Sequence, residues 1–192
     1  MPCESAPTTI QFHSCDNTTG FTKTAVEGQR TVDIITSGAK EGSGWVKTTV
    51  TKQAELLDIS LSTPLNANVL TMSNAHLVFW FYVSEDATGD DRWATYADKI
   101  KARVSGNGRI EISSGGGNKG IYWKTADVFK TTCPIVAGWN KIDLKFSDAQ
   151  TYGDSFTLNF SAIDWFRVYW EGPVALYDTF TLGFDDIYLY AE

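Results

Sequence analysis

The sequence predicts an all-β protein built as an antiparallel β-sandwich, and three stretches predict it. Asp164–Glu171 alternates with period two, placing Phe166, Val168 and Trp170 on one face and Trp165, Arg167 and Tyr169 on the other. Trp139–Phe146 alternates more cleanly, with Ile142, Leu144 and Phe146 inward and Lys141, Asp143 and Lys145 outward. Phe184–Tyr190 closes the chain with Ile187 and Leu189 on one face and Tyr188 and Tyr190 opposite. Alternating runs separated by turn-forming segments build antiparallel sheets with one buried face.

The remaining elements follow in order. Met1–Thr9 is polar and proline-bearing and reads as a tail or linker end, leaving residues 10–192 as one β-sandwich domain. Ile10–Ser14 is the first strand, followed by the polar turn Cys15–Gly20, and Thr31–Ile35 is the next short strand. The glycine-rich loop Ser37–Gly44 leads into the strand Trp45–Val50. Its glycine spacing, and the strand that follows it, exclude a phosphate loop. Ala54–Leu61 and Ala75–Val83 are strands, the second apolar on both faces and therefore mid-sheet. Glu85–Tyr96 is an acidic insertion carrying Trp93 and Tyr96. Asp98–Val104 and Arg109–Ser113 read as a hairpin about Gly106–Gly108, its register placing Arg103 opposite Glu111. Ser113–Gly120 is a flexible loop opening onto Ile121–Lys124, and Thr125–Pro134 is irregular with room for one helical turn.

Composition narrows the function. A net charge of −7 and a pI near 4.8 argue against nucleic acid, which needs clustered Lys and Arg. They argue equally against a strongly anionic polysaccharide. The one basic grouping, Lys99, Lys101 and Arg103 on one face of the expected strand, reads as solvated surface. No apolar stretch approaches the length of a membrane span, and the chain opens without a cleavable signal peptide. Cys3, Cys15 and Cys133 have no metal-type spacing. Either Cys3 and Cys15 pair in an exported domain or all three are unpaired.

Enzyme signatures are missing from the sequence. The two histidines, His13 and His76, lie in strands, and no nucleophile elbow or zinc motif occurs. The acidic pairs Glu85-Asp86, Asp90-Asp91 and Asp185-Asp186 place adjacent residues, which a strand points to opposite faces, so no catalytic set emerges. If the two ends of the chain pair, Asp16, Glu41 and Asp185 can meet as calcium ligands; that they are ordinary turn residues is an equal alternative. The aromatic content says more. With seven Trp, eight Tyr and eleven Phe, more large rings fall on outward faces and loops than a core requires. Trp165, Arg167 and Tyr169 on one strand face, Tyr122 and Trp123 after a loop, and Trp93 and Tyr96 in the insertion are the candidate ligand-binding residues. Flat rings beside hydrogen-bonding groups suit the apolar faces and hydroxyl rims of sugars.

Gly38-x-x-Glu41-Gly42-Ser43, Gly138-Trp139-Asn140-Lys141-Ile142, Ile163-Asp164-x-x-Arg167-Val168-Tyr169 and Phe184-Asp185-Asp186-Ile187 occur in an order that resembles jelly-roll carbohydrate-binding modules and related galactose-binding-like or laminin-G-like sandwiches. The resemblance implies a jelly roll and a structural calcium near the termini, held by Asp16, Glu41 and Asp185. It further implies a non-catalytic module that targets an attached enzyme or cell-surface protein to polysaccharide, extracellular and part of a larger multimodular protein. A protein-interaction or adhesin module on the same fold is the alternative. Glycosylation at Asn17-Thr18-Thr19 or Asn159-Phe160-Ser161 would require a secretory route.

Overall fold

The computed structural model describes residues 8–22, 32–50, 55–85, 95–104, 107–117, 119–152, 156–170 and 180–192. Its strands are β1 (Thr9–His13), β2 (Phe21–Thr22), β3 (Val32–Ile35), β4 (Trp45–Val50), β5 (Glu55–Leu65) and β6 (Ala75–Val83), then β7 (Arg109–Ser113), β8 (Gly120–Lys124), β9 (Gly138–Lys145), β10 (Gln150–Thr151), β11 (Ile163–Trp170) and β12 (Phe180–Ala191). Every pairing among them is antiparallel. One sheet runs β3-β4-β12-β6-β9 with β1 also on β12; the other runs β10-β8-β7-β11-β5-β2.

The expected alternation builds the core between them. Ile142, Leu144, Phe146, Phe166, Val168, Ile187 and Leu189 are all buried. Phe79 of β6 meets Phe166 of β11 edge-on at 5.4 Å between ring centroids, locking one sheet onto the other. β6 lies between β12 and β9, as its two-sided apolar character requires.

β12 serves two strands along one edge. Phe180–Phe184 pairs with β4 and Ile187–Tyr190 with β1, and between them the ladder to β6 shifts register at Asp185 and Asp186. Asp186 has φ 46°, a left-handed backbone that a bulge demands and that Asp tolerates better than most residues. The end of β1 and the start of β4 therefore converge on Asp185. Farther along, His76 Nδ1 lies 2.7 Å from Asp143 and its Nε2 3.2 Å from Glu192, tying the end of β12 to β9.

The expected hairpin over 98–113 is corrected. Tyr96–Arg103 is a helix, α1, whose N-cap Thr95 accepts from the Asp98 N–H. Tyr96, Ala97, Ile100 and Val104 are buried at helical spacing while Ala102 is exposed, so the apparent period-two pattern there was coincidental. Lys99 is only 1% exposed, so it is not the solvated cation expected. β7 pairs instead with β8 and β11, and Glu111 faces Tyr122 and Arg167 rather than Arg103. The irregular segment is a short helical turn, α2 (Thr125–Asp127), continuing into a π-turn. Cys15 and Cys133 are free thiols; Cys3 lies outside the described residues.

Outside the core, the Trp45 ring lies over Gly183 of β12 and packs with Tyr82 and Trp139 at 5.4 and 5.3 Å. A Cβ on Gly183 would sit 2.5 Å from Trp45 Cζ3. Gly183→Ala is expected to destabilise the fold by about 1–3 kcal/mol through overpacking. Urea unfolding measures it, and an unchanged midpoint would show that the ring moves aside freely.

Candidate functional site

Directly opposite residues of an antiparallel pair share a sheet face. The outward face of the β11 sheet can therefore be read across its strands. One row runs Gln150, Tyr122, Glu111, Arg167, Asp58. A second holds Lys124, Arg109 and Tyr169, and a third Ser113, Trp165 and Ser60. Trp165, Arg167 and Tyr169 thus lie where the alternation placed them, opposite the core side of β11, and Tyr122 joins them from β8.

Glu111 organises this face. It projects away from the core, between Ile110 and Ile112, yet is 0% exposed because its neighbours close over it. Arg167 Nε and Nη2 both donate to Glu111 Oε2 at 2.6 Å, and the Tyr152 hydroxyl donates to Oε1. Burial, then the Glu111 carboxylate, push the Tyr152 phenol above its usual range, so it keeps the proton it donates. Arg109 Nη1 stands 3.9 Å from Oε1.

The guanidinium planes in turn order the rings. Arg109 lies 4.4 Å from the Tyr122 ring centroid and 4.7 Å from that of Tyr152; Arg167 lies 4.8 Å from Trp165 and 5.8 Å from Tyr169. The result is an alternating platform of rings and cations about one buried anion. Trp165, expected to face a ligand, is 6% exposed with its edge against the loop at Gly117, so it supports Arg167 from within the platform and presents no open ring face. Asp58 flanks Arg167 on the far side. Its Oδ1 is buried with no hydrogen-bond partner among the described residues, and burial raises its carboxyl to about 6 despite the lowering by Arg167.

Other candidates lie elsewhere. Tyr96 and Trp123 belong to the core, 4% and 5% exposed, and the Trp123 indole N–H donates to the Lys145 carbonyl at 2.9 Å. Neither presents a face to a ligand. Trp93 lies outside the described residues. Arg109, Glu111, Tyr152 and Asp58 were not singled out from the sequence. Asp58 and Glu111 carried a signal nonetheless, as charged residues between inward-facing apolar ones in β5 and β7.

The loop that carries Glu41 meets both Asp185 and Asp16 where β1 and β4 converge on β12. Asp185 Oδ2 accepts from the Lys40 and Glu41 N–H groups at 2.7 and 3.1 Å, while its Oδ1 is buried without a partner among the described residues. Burial raises the Asp185 carboxyl against the opposing pull of those N–H groups. Asp16 Oδ1 accepts from Ser43 and Gly44, which holds its own carboxyl below the usual range, with Ser43 the larger influence. Glu41 meets Asp185 through its backbone, leaving its residue exposed. Among the described residues no three Asp, Glu, His or Cys side chains gather as a metal set. The group here that could face a cation is the buried Asp185 Oδ1, a hard oxygen donor of the kind calcium takes.

No protein-family model matches the chain, and no curated protein sequence does. Solved structures do match. The family 30 carbohydrate-binding module of a cellulosomal cellulase of Clostridium thermocellum is similar over 96% of this chain and 98% of its own, at 13% identity and a TM-score of 0.61. A family 11 carbohydrate-binding module is similar over 98% of both chains, at 14% identity and a TM-score of 0.60. An exo-β-agarase is similar over 95% of this chain but 25% of its own, at 13% identity and a TM-score of 0.51. The fold is the jelly-roll β-sandwich of these modules.

Two outcomes test the site. Glu111→Ala strips a buried charge pair of one partner and is expected to cost about 3–5 kcal/mol; a cost near zero on urea unfolding would mean the pair is solvated. Asp58 is raised in the folded state, so the stability it contributes is complete below 3.8 and lost as pH rises through about 6. Relative to the wild type, Asp58→Asn should therefore gain stability across that window and stay level above it. A difference independent of pH would place Asp58 in water.

Proposed function

We propose that this jelly roll is a non-catalytic carbohydrate-binding module whose outward β11-sheet face binds an uncharged glycan. One observation carries the reading: the buried Glu111 fixes Arg167 and Tyr152, and with Arg109 this aligns guanidinium groups and aromatic rings on one face. Rings held in place take the C–H faces of sugars at little entropic cost, and the guanidinium groups take the hydroxyls. Glu111, Arg167 and Asp58 alternate in sign along one row, with Arg109 and Lys124 in the next, so the face mixes both signs and has no single-sign field to draw an anionic polymer.

Binding, not hydrolysis, is the activity proposed. Glycoside cleavage needs an acid and a base on either side of the bond. Glu111 is engaged by Arg167 and Tyr152, and Asp58 stands on the far side of Arg167. The module is proposed to act outside the cell, attached to an enzyme or surface protein; the likeness to a module of a cellulosomal cellulase supports this setting. Among the described residues no helix is long and apolar enough to cross a membrane. A structural calcium at Asp185, with the loop carrying Glu41 and with Asp16 beside it, belongs to the same proposal; the unpartnered Asp185 Oδ1 supports it.

Affinity electrophoresis against neutral and acidic polysaccharides tests the function, with retardation expected in a neutral one. A folded protein retarded by none would turn the assignment to protein interaction. Tyr169→Ala and Tyr122→Ala are expected to weaken glycan binding about tenfold with the fold intact, whereas Trp123→Ala should cost about 3–5 kcal/mol of stability as a core truncation. Chelation should lower the melting temperature by several degrees, since an ion bound only to the folded state stabilises it. An unchanged melting curve removes the calcium.

A further inference from the structure

Between the edge of β1 and the outer half of β5 lies a groove of about 390 Å³, within the size range of small-ligand sites. It is separate from the ring platform but adjoins it. Ser60, which lines the groove, stands opposite Trp165 on the platform. β2 pairs only with Asp58 and Ile59, and the Gly20 carbonyl takes the Ser60 N–H, so β5 from Leu61 onward has no strand on this side among the described residues.

The lining defines a ligand chemistry. The Gln11 amide nitrogen is spent on Asp186 and the Ile187 carbonyl, leaving its oxygen as an acceptor. The Asn17 oxygen accepts from the Thr19 N–H, leaving its amide nitrogen as a donor. Ser60, Ser62 and Thr63 add three hydroxyls whose side chains no other described residue engages, and Phe12 and Leu61 supply apolar surface. The remaining ionisable group is His13. Its Nδ1 accepts from the Cys15 N–H at 2.9 Å, which puts the proton on Nε2, 3.0 Å from the Thr19 carbonyl, and leaves the ring neutral. Paired donors and acceptors with no formal charge match a polyhydroxylated, uncharged ligand.

We infer that this groove is a second sugar subsite, receiving the end or branch of a glycan chain that crosses the β11 sheet and passes over the β5 edge at Ser60. The inference rests on the proposed glycan-binding reading of the sheet face. The row from Gln150 to Asp58 spans four strand spacings, about 19 Å. A short oligosaccharide can occupy that row alone, and a longer one must continue beyond it.

Calorimetry with cello- and agaro-oligosaccharides of increasing length, on the whole chain, tests it. Ser62→Arg, which fills the groove, and Asn17→Ala, which removes a donor, should leave disaccharide and trisaccharide binding unchanged and weaken hexasaccharide binding about fivefold, the effect of a lost hydrogen bond. Tyr169→Ala should weaken all lengths. Hexasaccharide affinity indifferent to both groove variants, with melting curves intact, overturns the subsite and leaves the platform standing. Losses at every length in Ser62→Arg, with Tyr169→Ala neutral, would overturn the platform and keep the groove. No binding by any oligosaccharide overturns both.

Discussion

A single strand that must serve two edge partners in succession has to break its register somewhere, and the break has to be held. In this protein β12 carries β4 along its first half and β1 along its second, with Asp185 and Asp186 at the seam. Holding the seam draws in the loop from Ser37 to Gly44, since its N–H groups are the donors that Asp185 and Asp16 accept. The same loop accepts the indole N–H groups of Trp45 and Trp139 through the Ser37 and Gly38 carbonyls. One register shift thus fixes a loop, and the loop fixes two tryptophans on the outer face of that sheet.

The opposite sheet solves a different problem. A carboxylate wholly removed from water is costly unless its partners are in place, and Glu111 has them on three sides. The energetic return of such a pair is small. Its structural return is that two long, rotamer-rich arginines hold defined positions over aromatic rings. Much of the ordering a ligand would otherwise impose is already done in the folded protein.

Local alternation made most of the fold legible. Trp45–Val50 and Ala75–Val83 are strands with the bounds the sequence predicts, and Trp165, Arg167 and Tyr169 share the face their spacing requires. Trp123 was also legible in principle: within β8 it shares a face with Ile121, while Tyr122 and Lys124 take the other, so adjacent rings could not both be ligand platforms. The stretch over 96–103 misled because Ile100, Ala102 and Val104 alternate within a segment that Thr95 and Asp98 start as a helix. What no local pattern carries is partnership across strands. Glu111 meets Arg167, 56 residues away, and Tyr152, 41 away, through sheet order, which the sequence leaves open.

The pairing of β1 with β12 also decides how the molecule bears load. Thr9 stands opposite Tyr190, so the outer ends of the first and last strands lie side by side at one end of the sheet. Tension applied there would not shear the ladder along its length. It would unzip it pair by pair, from Thr9 and Tyr190 inward through Ile10 and Leu189 toward the bulge, each step resisted by only a bond or two. Pulled this way, the sandwich yields first along this ladder and not through its core.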